Sequence, residues 1–169
     1  MIVLIAGATH TGKTVLSQRL MEKYKFPYLS VDHLKMGLIR SGQTSVCVDD
    51  DTNLTPYLWA IVKEIAKTAI ENRQNLIIEG CYIPFDWKKD FEEEYLSEIR
   101  YYCLIMSKAY IQNNFSEILT NENIIEKRLS CELTQEELIK DNEHNLQMCK
   151  KYALNYVLID RKYSVDIEL

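Results

Sequence analysis

"GATHTGKT", residues 7–14, follows directly on the apolar run "MIVLIA" at residues 1–6, and the reading of this junction decides the fold. Gly7 and Gly12 are two of the chain's five glycines, and Lys13 and Thr14 come immediately after them. A short, β-branched apolar run bounded by glycine reads as a buried strand, and the residues from 13 to 24 as a helix. A strand, a glycine turn and a helix start together make an anion site. Successive backbone N–H groups point inward there, and the positive end of the helix adds to their field. The spacing G-x-x-x-x-G-K-T distributes the work: Gly7, Ala8, Thr9, His10, Thr11 and Gly12 wrap a phosphate chain, Lys13 sets a cation on the β- and γ-phosphates, and the Thr14 hydroxyl ligates Mg²⁺. His10 stands at a variable position of the loop, so it contributes backbone and its side chain is assigned no chemistry.

The bulk composition agrees with one nucleotide-binding domain over residues 1–169. The chain has 169 residues, of which 47% are hydrophobic, enough for a single core. A net charge of −5 offers no basic footprint, so neither nucleic acid nor an anionic membrane is an expected partner. No apolar run approaches the roughly 18 residues of a membrane span, and the opening strand leaves no room for a leader peptide. Five cysteines, an odd number without C-x-x-C spacing, suit scattered reduced thiols in a cytoplasmic protein.

Outward from the loop, short apolar runs alternate with helical patterns. Strands are expected at 1–6, 27–31, 75–80, 99–106 and 155–160, and helices at 13–24, 32–40, 55–74 and 85–96, with a long polar helical region over 107–151. The clearest helix is 55–74, with Thr55 as its cap, Pro56 in its first turn, and an apolar stripe of Leu58, Ile61, Val62, Ile65 and Ala69. The acids Asp49, Asp50 and Asp51 ahead of it resemble a metal cluster, but acids in that place ordinarily serve the helix dipole or solvate a loop. Such alternation argues for an α/β domain with a mainly parallel sheet covered on both faces. Ligands in that architecture collect at the carboxyl ends of the strands.

A guanine-reading N-K-x-D motif is absent, and a single small domain does not suit a motor. What remains is a small phosphotransferase. With the loop near its start, charged residues after the second and third strands, and a helical segment before the last strand, the chain resembles the small P-loop kinases. That group includes adenylate kinase, shikimate kinase, chloramphenicol phosphotransferase, the zeta-toxin kinases and 2-phosphoglycerate-kinase-like proteins. The resemblance implies a three-layer P-loop NTPase fold with a five-stranded parallel sheet in order 2-3-1-4-5. It also implies a helical lid at about 118–130, ATP with Mg²⁺, and a small-molecule acceptor, in a monomer or homodimer.

Several residues beyond the loop acquire candidate roles from it. Asp32, in "YLSVDHL", matches the position from which hydroxyl-phosphorylating relatives contact the acceptor and take its proton; helix N-capping is the alternative. Lys127 and Arg128 match lid cations that close over the phosphates, or else belong to a solvated helix face. Arg161 follows the fifth strand, where relatives hold the adenine. Read from the residues themselves, Glu79 ends a buried strand, and a buried carboxylate needs a partner: Mg²⁺, its water, the acceptor, or a salt bridge. Arg40 suits an anionic acceptor or the end of its helix. Tyr82, with Pro84 and Trp87, lines an acceptor pocket or packs a loop. Only six arginines are present, and "EGCYIPFDW" departs from the arginine-bearing stretch of adenylate kinases. A hydroxyl acceptor therefore fits better than a nucleoside monophosphate, which stays the alternative beside a nucleotide-binding regulator.

Overall fold

A computed structural model describes residues 1–120 and 133–169. Its centre is β1 (Ile2–Gly7), every residue of which is buried, as a parallel strand covered on both faces requires. On one side β1 pairs with β3 (Leu76–Glu79), Ile2 opposite Leu76 and Ile5 opposite Glu79. On the other it pairs with β4 (Ile99–Met106), Ile2 opposite Ile99 and Gly7 opposite Leu104. β2 (Tyr28–Ser30) and β5 (Tyr156–Ile159) form the edges, giving five parallel strands in the order β2-β3-β1-β4-β5. This is the sheet and the strand order the resemblance implied.

Each face of the sheet carries its own core. On one face, α3 (Asp51–Glu71) packs Leu54, Leu58, Trp59, Val62 and Ala66 against Leu4, Ile78, Cys103 and Ile105. On the other, Leu16 and Leu20 of α1 (Lys13–Tyr24) and Ile111 and Ile118 of α5 (Lys108–Thr120) meet Val3, Ile5, Ile77 and Leu104. The irregular stretch after β5 joins this second core through Val165 and Ile167. Beyond the end of β1, the Met106 N–H donates to the buried Asn142 side chain at 2.8 Å, which satisfies a strand group without a ladder partner. Asn142 belongs to α6 (Gln135–Lys151). No described helix is long and apolar enough to cross a membrane.

Three expectations about helices require correction. α3 begins at Asp51, not at Thr55: Asp50 is its cap and accepts from the Asn53 N–H at 3.2 Å. Thr55 donates back to the Asp51 carbonyl at 2.8 Å, and Pro56 lies inside the helix. Its missing N–H falls on an exposed face. The stripe of α3 also shifts, with Trp59 and Ala66 fully inward while Ile61 and Ile65 are half-buried. The helix expected at 85–96 is broken into a 3₁₀ turn at Trp87–Asp90, an extended Phe91 (φ −127°) and a short α4 (Glu93–Leu96). Tertiary contacts override helical preference there. Trp87 stacks on Tyr101 at 5.8 Å, and Asp90 accepts from Trp59 Nε1 at 2.9 Å and from Lys63 Nζ at 3.1 Å.

The long helical region of 107–151 is at least two helices, since a capping box opens α6. The Thr134 hydroxyl accepts from the Glu137 N–H at 3.2 Å, and the Glu137 carboxylate accepts from the Thr134 N–H at 3.0 Å. Of the expected lid, residues 118–120 are the last turn of α5, with Ile118 in the core. Residues 121–130, including Lys127 and Arg128, lie outside the described residues.

Candidate active site

The phosphate-type loop joins β1 to α1 and is held in shape by its own polar groups. Gly7 adopts φ 144°, where a Cβ would stand 2.6 Å from the Leu104 carbonyl oxygen of the adjacent strand. Gly12, at the N-cap of α1, adopts φ 81°. Both positions therefore require glycine. Thr11 is fully buried and donates from its hydroxyl to the Ala8 carbonyl at 2.8 Å. Lys13 is 3% exposed and its ammonium donates to the same carbonyl at 2.7 Å, so the cation lies folded under the loop. His10 has φ 61° and its Nδ1 is 3.0 Å from the Thr9 hydroxyl, an interaction within the loop.

Glu79 comes to this loop from β3. It is 1% exposed, and its Oε1 accepts from the Thr14 hydroxyl at 3.3 Å, linking residues 65 apart in sequence. The same rung of the sheet carries Ser30, which is 2% exposed and whose hydroxyl has no hydrogen-bond partner among the described residues. A hydroxyl, a buried carboxylate and an orphaned hydroxyl together form an oxygen-rich set of the kind a hard divalent cation and its waters take. The residues present thus fit Mg²⁺. No group of three or more His, Cys, Asp or Glu side chains able to hold a metal is gathered among the described residues; within the acidic run at 49–51, Asp50 caps α3 and Asp51 lies in its first turn.

Beyond the ends of β2 and β3 runs a chain of side chains from three segments. Asp32 is the second residue of α2 (Val31–Arg40), whose N-cap is Ser30, so the capping role considered for Asp32 is not the one it has. Its carboxylate stands 3.7 Å from the Lys35 ammonium. Lys35 donates to the Tyr82 hydroxyl at 2.8 Å, and Tyr82 donates to Asp51 Oδ1 at 2.8 Å. Burial, reinforced by Asp51, pushes the Tyr82 phenol well above its ordinary range, so it remains a protonated donor. On α6, burial raises the Asp141 carboxyl; nearby Glu137 and Asp51 add to this against the opposing pull of Lys140 and His144. The described charges on this side are thus mostly acidic.

Some candidates do not join this group. Arg40 is exposed at the far end of α2, about 12 Å along the axis from Asp32 at 1.5 Å per residue. Trp87 is a core residue, stacked on Tyr101. Arg161 is exposed just beyond β5, at the carboxyl edge of the sheet. Cys81, next to Tyr82, is exposed.

One residue at the site went unread. The Tyr163 hydroxyl donates to the carbonyls of Thr11 at 3.2 Å and Gly12 at 3.4 Å. Its signal was present in "YSVDIEL", where Tyr163, Val165, Ile167 and Leu169 alternate with Ser164, Asp166 and Glu168. That period of two marks one face as inward.

No family model matches the chain, and no curated protein matches it in sequence. Solved structures do resemble it. A sugar kinase from Janibacter sp. HTCC2649 aligns over 94% of this chain and 84% of its own at 12% identity, with a TM-score of 0.55. A shikimate kinase from Bacteroides thetaiotaomicron aligns over 95% and 86% at 14% identity and a TM-score of 0.52. A gluconokinase from Sinorhizobium meliloti 1021 aligns over 94% and 81% at 13% identity and a TM-score of 0.50. Together with the strand order and the loop, these likenesses identify the architecture: the chain has the fold of the small P-loop kinases of the shikimate kinase and gluconokinase type.

Proposed function

We propose that the protein transfers the γ-phosphoryl group of ATP to a hydroxyl of a small molecule. The observation that carries this reading is the Thr14–Glu79 contact at 3.3 Å beneath a glycine loop whose lysine is buried. A purely structural turn has no reason to hold a carboxylate and an ammonium under itself. The sugar, shikimate and gluconate kinases of like fold support a small-molecule acceptor.

In this reading the backbone of residues 7–14 binds the phosphate chain and Lys13 exchanges its Ala8 carbonyl for the β- and γ-phosphate oxygens. Mg²⁺, when bound with the nucleotide, supplies further positive charge to those oxygens, and Thr14 and Glu79 are the residues that would hold it. Asp32, oriented by Lys35, accepts the proton of the acceptor hydroxyl. The hydroxyl oxygen forms its bond to the γ-phosphorus, the bond from that phosphorus to the β–γ bridging oxygen breaks, and ADP leaves with the electron pair. Positioning and electrostatics supply most of the acceleration in such transfers. Arg161, at the carboxyl edge beyond β5, is assigned to the base of the nucleotide.

The acceptor side favours a hydroxyl compound over a nucleoside monophosphate. Among the described residues its side chains are Asp32, Lys35, Asp51 and Tyr82, and no arginine joins them. An acceptor phosphate needs several cations. The test is product formation from Mg·ATP with sugars, sugar acids, cyclic polyols and amino alcohols, set beside nucleoside monophosphates, with phosphorus NMR to identify the ester. A phosphomonoester of a hydroxyl compound is expected. Phosphorylation of a nucleotide alone, or ATP binding without transfer to any acceptor, overturns the reading.

A further inference from the structure

The segment beyond β5 is shaped to bring one tyrosine to the phosphate loop. Val165 and Ile167 are buried in the core on the α1 side, whereas Ser164, Asp166 and Glu168 are exposed. The far end is tied as well: Arg100 donates to the Glu168 carbonyl at 3.4 Å, and the Leu169 N–H donates to the Tyr24 hydroxyl at 3.3 Å. Tyr163 is therefore directed inward by the same alternation, and its ring packs on that core. Its hydroxyl proton is shared between the Thr11 and Gly12 carbonyls. The approach is close enough that a Cβ on Gly12 would stand 1.9 Å from the phenol oxygen.

Peptide planarity turns this contact into a statement about the site. In a trans peptide the carbonyl of one residue and the N–H of the next point in opposite directions from one rigid plane. The Thr11 carbonyl shares its plane with the Gly12 N–H, and the Gly12 carbonyl shares its plane with the Lys13 N–H. Holding the two carbonyls outward thereby aims two N–H groups inward, where a phosphate chain binds. The Gly12 carbonyl also accepts the first helical bond of α1, from Leu16 at 3.0 Å, so the tyrosine couples the loop to the helix start. Burial pushes the Tyr163 phenol up to about 12, which keeps the donor proton in place through neutral pH.

We infer that Tyr163 is a positioning residue for triphosphate binding: its hydroxyl sets the Gly12 and Lys13 N–H groups toward the phosphates and reads no base. This rests on the nucleotide reading of the loop. The test is calorimetric titration of the full chain and of Tyr163→Phe with Mg·ATP and, separately, with Mg·tripolyphosphate, which has the phosphates and no base. Both dissociation constants are expected to rise by the same factor, about three- to tenfold, the size of one neutral hydrogen bond. KM for ATP should rise in step while kcat changes by less than about twofold, the pattern of lost uniform binding. The melting temperature without ligand should fall by no more than a few degrees, because the phenylalanine keeps the packed ring and only one hydrogen bond is lost. Unchanged affinity for both ligands overturns the inference, as does a loss confined to ATP, which would assign Tyr163 to the base. An unfolded Tyr163→Phe chain also counts against it, since the hydroxyl would then serve the fold. Failure of the unsubstituted chain to bind either ligand instead removes the nucleotide reading itself.

Discussion

In the proposed reading, the donor and acceptor sides sit on neighbouring strand ends but are built on different principles. The donor side is mainly backbone: residues 7–14 form it contiguously, and among the described residues Glu79 and Tyr163 bond to it from elsewhere. The acceptor side is all side chains, passed from Asp32 to Lys35 to Tyr82 to Asp51 across α2, α3 and the segment after β3. A backbone cradle recognises what every nucleoside triphosphate shares. A side-chain relay recognises one compound and changes with single substitutions. The difference predicts that damage on the donor side lowers binding or transfer alike for every acceptor, whereas damage on the acceptor side alters which compound reacts and how fast.

The sharpest way to break this comparison is Lys13→Ala. Removing one group that stabilises developing charge in a preorganised site costs about 10²–10³-fold in turnover. Transfer to every acceptor should fall by that factor, while the melting temperature of the unliganded chain is largely kept. Near-normal turnover by a folded variant would show that the loop is not a donor site.

Asp32→Asn should be milder and confined to the acceptor side. General bases contribute about 10²–10⁴-fold, and a loose phosphoryl transition state draws on the lower end. The expected outcome is transfer slowed at least about tenfold with unchanged ATP affinity in calorimetry. If transfer is unaffected, the proton goes elsewhere and Glu79 becomes the first residue to examine.

Tyr82→Phe sharpens the comparison through stability. The substitution leaves Lys35 and Asp51 each short of one bond at a half-enclosed site, which costs about 1–3 kcal/mol. Chemical denaturation should show this loss, and the acceptor KM should rise more than the ATP KM. Equal effects on the two KM values would mean that the two sides are one mechanical unit.

Asp90→Asn is the smallest and serves as a control away from both sides. Burial works to raise the Asp90 carboxyl, but the bonds from Trp59 and Lys63 outweigh it and hold the group below its ordinary value. A depressed carboxylate stabilises the fold above its unfolded pKa, near 4, and loses that contribution as pH falls through the lower folded value. At pH 7 the substitution should cost about 1.5 kcal/mol, and the gap between the two chains should close as the medium is taken toward pH 3. A gap that persists there would mean the charge is irrelevant.

The same contrast explains what the sequence made legible. Strands and loop were readable because a buried parallel strand must be apolar and a phosphate turn must be glycine at set positions, and both demands fall on contiguous residues. Glu79 stood out because a carboxylate ending an apolar run requires a partner, although nothing local named Thr14. The acceptor relay was opaque: Asp32 and Tyr82 were visible singly, but Lys35 and Asp51 gain meaning only from contacts across 47 and 31 positions. The helix errors have local causes. The "DDDTN" acids cap α3 earlier than Thr55 does, and the capping box "TQEE" at 134–137 went unused. Of the two readings open for Arg40, the structure shows the helix-end one, a basic residue in the last turn of α2.

The central position of β1 has a consequence for how the chain is made. β1 leaves the ribosome before either neighbour exists: the strand opposite it on one side starts at Leu76, and on the other at Ile99. At about 5–20 residues per second, this fully apolar strand waits about 4–14 s for its first neighbour and about 5–20 s for its second. Helices form locally in microseconds or less, but a lone 12-residue helix is marginal in water, so α1 too waits for the sheet that receives it. The loop between them matures later still, because Gly7 rests on Leu104 and the Thr11 carbonyl on a tyrosine 152 residues further on. Nucleotide can therefore stabilise only a nearly finished chain.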